Sequence, residues 1–158
     1  MAVSESTILS DIFSEIFTIL NSNAYSITNN NNDTITLNKS GSNYWFGAFP
    51  DIDIEDSSNY PIGIIRSPEF EENMEGFRFK QIPSYVDIAV FDTRAEHPPK
   101  FVEKAMYQLR QNASSLREAG LHSLEAGRSN TDMDMRGDMK IHSVTVPVEL
   151  TYSFEVSS

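Results

Sequence analysis

Asp92, Glu96 and His97 fall within one short stretch, VFDTRAEHPPKF, with Arg94 between them. An imidazole flanked by two carboxylates is the equipment of general acid–base chemistry, in which one group moves a proton and another orients it. The neighbouring residues point to a different use. Pro98 and Pro99 suit the first turn of a helix, where a missing N–H has no intrahelical partner to lose. Pro98 also drives His97 toward extended backbone. Asp92 closes an apolar strand, so the stretch reads as the seam between a strand and a helix. The remaining histidines, His122 and His142, stand at no spacing that would complete a site. No catalytic residue is expected, and an acid–base enzyme around Asp92, Glu96 and His97 is the alternative.

The other chemistry-bearing patterns are weaker. DMDMRGDMK sets Asp132, Asp134 and Gly137 at the first, third and sixth places of a calcium loop. Arg136 stands at the fifth place and Ser143 at the twelfth, where a bidentate Glu is needed. Arg136-Gly137-Asp138 spells an adhesion tripeptide, too short to carry weight. Asn32, Asn38 and Asn112 each begin a glycosylation tripeptide, but Asn112 lies within a helical pattern. There is no phosphate-binding glycine loop, nucleophile elbow or zinc-protease motif. Without cysteine there is neither a disulfide framework nor a thiolate metal site. No cofactor and no metal are expected.

A chain of 158 residues is long enough for one modest core and reads as a single domain spanning 1–158. Its 23 acidic residues against 12 basic ones leave a net charge of −11. Such a surface repels phosphate backbones, which argues against wrapping nucleic acid. The opening residues, MAVSESTILSDIF, have no basic n-region, so no secretory signal is expected. No apolar run approaches the roughly 18 residues of a membrane span.

The elements that would position these residues make an α+β domain, a mixed or antiparallel sheet packed with two amphipathic helices. Ile8, Leu9, Ile12, Phe13, Ile16, Phe17 and Leu20 recur at helical spacing and predict a helix over 7–20. Val102, Ala105, Met106, Leu109, Ala113 and Leu116 predict a second over 99–119, stopped at Gly120. Strands are expected at 34–37, in PIGIIRS and in FKQIPSYVDIAVFDT, with PEFEENMEGF an acidic hairpin loop closing at Gly76. The last of these has apolar groups on both faces over Tyr85–Phe91 and should be central. Val144, Val146, Val148, Leu150, Tyr152, Phe154 and Val156 alternate and predict a long last strand, with Pro147 marking an edge or a bulge. Two stretches, 40–59 and 121–140, read as long loops, the first with room for a short strand around Tyr44–Phe49. They carry Trp45, Phe46, Phe49, Met133, Met135 and Arg136. Apolar groups on loops often mark a partner surface, so these six are the candidate subunit or partner contacts. They are expected to become ordered on packing against a neighbour.

The stretches ILSDIFSEIFTIL, SYVDIAVFDTRAEHPPKFVEKAMYQLRQ and SVTVPVELTYSFEV follow the order helix, strands with a long hairpin, helix, long last strand. In that order and in size the chain resembles the tail terminator proteins of long-tailed viruses, and more loosely other neck and tail-completion proteins. The resemblance runs from Ile8 to Val156 and rests on element order, with no residue motif. It implies a virion structural protein, assembled in the host cytoplasm, that forms a homo-oligomeric ring, commonly a hexamer. The ring would cap the tail tube and join it to the head-side connector. It implies no catalytic residues and no membrane, and an acidic lumen would let DNA pass without binding it. The alternatives are a binding module that uses the Trp45, Phe46 and Phe49 loop, or the acid–base enzyme.

Overall fold

The computed structural model describes residues 8–21, 26–38, 44–47, 56–66, 69–70, 73–75, 79–118 and 121–155. Within them the chain is an α+β fold, with a two-stranded sheet and an eight-stranded sheet. Helix α1, Ile8–Asn21, places Ile16, Ile19 and Leu20 in the core. Phe13 and Phe17, one turn apart, stack with ring centroids 5.5 Å apart. Asn21 ends the helix and does a second task. Its Oδ1 accepts the N–H groups of Tyr44 and Trp45, both at 2.8 Å, and so ties the helix end to the next sheet strand.

Strands β1 (Ser26–Thr28) and β2 (Thr34–Thr36) pair antiparallel as a small hairpin around the Asn-rich tip. The sequence reading anticipated β2 alone, because SIT is too short to show alternation. β3 (Trp45–Phe46) runs parallel to β4 (Ile62–Ile65), which pairs with β7 (Phe79–Asp92). The segment expected as an acidic hairpin loop instead contributes two short strands, β5 (Glu69–Phe70) and β6 (Asn73–Glu75), both on β7. Gly76 lies outside the described residues.

The expected single helix over 99–119 is two, α2 (His97–Gln111) and α3 (Ala113–Glu118). Asn112 breaks it: its side-chain Nδ2 donates to the Gln108 carbonyl at 2.9 Å, and its backbone leaves helical geometry. Asparagine competes in this way with the helix for backbone acceptors. Phe101, Val102, Ala105, Met106 and Leu109 of α2 join Leu116 of α3 against Val86, Ile88 and Val90 of β7.

The largest correction concerns 121–140. This stretch is not a loop. It forms β8 (Leu121–Ala126) and β9 (Asn130–Arg136) and enters β10 (Met139–Glu155). Gly137 takes φ 63° at the first position of the two-residue β9–β10 turn, while Asp138 stays at negative φ. Glycine at that position is what such a hairpin turn demands. β10 is consequently central: it pairs with β7 from His142↔Asp92 to Glu155↔Phe79, and with β9 and β8 on its other side. Pro147 does not mark an edge strand; it stands where the opposing chain bulges, residues 127–129 facing only 146–147 of β10. The Gly127 N–H donates to its carbonyl at 2.7 Å, so the side of Pro147 that lacks a donor faces the gap between β8 and β9. A Cβ at position 127 would lie 2.8 Å from the proline ring.

Candidate functional site

The Asp92, Glu96 and His97 cluster forms where β7 passes into α2, and the structure brings all three together. His97 Nδ1 donates to Asp92 Oδ2 at 2.5 Å, with both side chains only 5% exposed. The other Asp92 oxygen accepts the N–H of Thr93 at 2.7 Å. Across from the ring stands Asn29, in the turn between β1 and β2. Its Oδ1 already accepts the N–H groups of Asn31 at 3.0 Å and Asp33 at 2.9 Å. That fixes the amide's orientation and turns Nδ2, a donor, toward His97 Nε2 at 3.5 Å. Nε2 thus faces the Asn29 amide on one side, with Glu96 Oε1 3.8 Å away on the other.

Around this buried pair, ionic groups fasten the β1–β2 hairpin to α2. Glu96 accepts the N–H of Asn30 at 3.3 Å and sits 2.7 Å from Arg94 Nη2. Lys100 donates to the Thr28 carbonyl and to Asn30 Oδ1, both at 3.2 Å. Lys104 donates to the Ser26 carbonyl at 2.8 Å. An imidazole that moves a substrate proton needs one nitrogen within reach of that substrate. Here both nitrogens face protein atoms. Asn29 was not singled out in the sequence; an Asn in NNNN carries no signal until the hairpin folds onto α2.

The six candidate contacts separate. Trp45 is not on a partner surface: it is fully buried, against Gly63 of β4, where an added Cβ would come within 2.7 Å of the indole. A ring this size in the core gains more from burial than a loop could offer it. Phe46, the next residue, points to the opposite side of the sheet. There it packs, half-buried, on a small cluster of Tyr60, Ile62, Ile64 and Ile141. Phe49 lies outside the described residues. Met133 and Met135 are exposed, at 49% and 46%, on β9. Arg136 is exposed and pairs with Asp134 at 2.8 Å. The calcium pattern dissolves on the same strand. Asp132 and Asp134 alternate with methionines along β9, and among the described residues no three His, Asp or Glu side chains come together as a metal group.

Two cavities flank this part of the sheet. One, of about 300 Å³, opens between α2 and the β8–β9 gap over Val102, Met106, Val144 and Val146, with Glu103 and Arg110 at its rim. The other, of about 320 Å³, lies on the opposite face between Tyr60, Phe91 and Ile141 and the polar side chains of Asp132, Asp134 and Arg136. Neither is lined by Asp92, Glu96 or His97.

No family model matches the chain, and no curated protein matches it. Among the described residues, no helix is long and apolar enough to cross a membrane.

Proposed function

We propose that the chain is a virion structural protein, a ring that terminates the tail tube of a long-tailed virus and joins it to the head-side connector. The observation that carries this reading is the order of elements: α1, a small hairpin, β3, the long β4–β7 hairpin, α2 with α3, and the long last strand β10, with β8 and β9 inserted before it. That is the order on which the resemblance to tail terminators rests. The partners on this reading are further copies of the chain, the tail tube protein and the connector protein. The net charge of −11 suits a lumen through which DNA moves without adhering. The Asp92–His97 pair is then an internal fastening, in keeping with an imidazole whose two nitrogens face Asp92 and Asn29.

Negative-stain electron microscopy of the purified protein tests the reading. Closed rings of uniform diameter with a central hole are expected. Separate single subunits at every concentration, together with a hydrolytic or isomerising activity that His97→Gln abolishes, would overturn it in favour of the acid–base enzyme.

A further inference from the structure

Strand β9 presents an open edge, and its backbone directions can be derived. In an antiparallel sheet the N–H and C=O of one residue point to the same side, and consecutive residues alternate sides. The Pro147 carbonyl faces Gly127, so the odd-numbered residues of β10 direct their backbone groups toward β8 and β9. Their register partners Asn130, Asp132, Asp134 and Arg136 make the ladder bonds of β9. Thr131, Met133 and Met135 therefore direct N–H and C=O outward, away from β10. Among the described residues β9 pairs with no other strand, and all seven of its residues are exposed.

Seven exposed residues without Pro or Lys, and with methionines on one face, would be an invitation to strand pairing. Two of these three outward amides are occupied, however. Asp132 Oδ1 accepts the N–H of Met133 at 2.8 Å, and Asp134 Oδ1 accepts that of Met135 at 2.8 Å. We infer that Asp132 and Asp134 cap the β9 edge and keep it from pairing with β9 of a second copy. A second copy is the occupant that the pattern itself excludes. Antiparallel pairing about Met133 would match outward residues, Met133 with Met133 and Thr131 with Met135. It would also set Asp132 directly opposite Asp134, twice. Like charges directly opposite destabilise a sheet. The carboxylates thus act in two ways: each occupies a donor the second strand would need, and each repels its counterpart.

On this face Arg136 offsets part of the Asp134 charge at 2.8 Å, whereas Ile141 and Ser143, the register partners of the aspartates on β10, are uncharged. The inference does not rest on the ring reading, because its test compares variants with the natural chain's own assembly state.

That test is sedimentation equilibrium of the full chain carrying Asp132→Ala with Asp134→Ala. Self-association about tenfold tighter than that of the natural chain is expected, since two repulsive pairs, and two caps on each copy, are removed. Adding Met133→Pro removes an outward N–H while sparing the β10 ladder, and should return association to the natural level. Asp132→Asn with Asp134→Asn loses the charges but keeps an acceptor at each position, and should fall between. Unchanged association in the alanine variant, with its circular dichroism intact, would overturn the inference. So would association that survives Met133→Pro, or a gain in the asparagine variant equal to that of the alanines.

Discussion

Asp92 and Asp132 make the same local bond: each accepts the N–H of the residue that follows it, at 2.7 Å and 2.8 Å. Their surroundings are opposite. Asp92 is 3% exposed and gives its second oxygen to His97, whereas Asp132 stands on an exposed edge strand. At the seam the carboxylate is committed, because a buried polar group without a partner costs far more than the bond itself returns. At the edge water can replace any lost partner. One residue type, with one local habit, holds two elements together in the first place and shapes a surface in the second.

The largest effect is expected in the layer that buries the seam. Phe101→Ala removes a fully buried ring from α2 and should cost about 3–5 kcal/mol in chemical denaturation. A loss below about 1 kcal/mol would mean that α2 does not cover the sheet as described. Next comes the pair itself. Asp92→Ala strands the His97 N–H in the interior and should cost about 1–3 kcal/mol, while Asp132→Ala should change stability by no more than about 0.5 kcal/mol. Equal costs at the two positions would abolish the contrast. His97→Gln separates stability from function at the seam. The melting temperature should fall, as expected for a loss of about 1–3 kcal/mol, while the assembly seen below that temperature stays unchanged. Lost assembly with an unchanged melting temperature would revive a functional role for the cluster.

The smallest effect lies at the surface. The Asp56 carboxyl is held below its usual range by the Ser58 hydroxyl first and the Ser58 N–H second, where Asp56 caps the short 3-10 turn Ser57–Asn59. A lowered folded-state pKa means stability present above the ordinary value of 3.8 and lost as pH falls through the folded value. The group is fully exposed, so Ser58→Ala should alter the acid limb of a pH–stability curve only slightly, and leave it unchanged near neutrality.

Much of this fold was legible wherever a pattern had length. The α1 and α2 stripes and the alternation from Val144 onward each repeat often enough to fix a period. The seam was legible too, because Pro98 and Pro99 dictate a helix start whatever surrounds them. The loop expected at 121–140 shows what was missed. NTDMDMR alternates as strictly as β10, and Gly-Asp after it is a two-residue turn signal, but it alternates acid with methionine and shows no apolar face to a core. An edge strand needs no such face, so polarity alone misled. Trp45 failed for the converse reason: turn residues and acids surround it in sequence, and nothing local reveals that Gly63 leaves room for its ring. The partnership of Asn29 with His97 is long-range and appears only once the β1–β2 hairpin docks on α2.

The most direct test of the proposed role is the mass of the intact assembly under native conditions, measured across a range of protein concentrations. The account predicts one closed homo-oligomer with a fixed number of subunits, kept by the His97→Gln variant. A mass of 17.8 kDa at every concentration, the single chain and nothing larger, would contradict it.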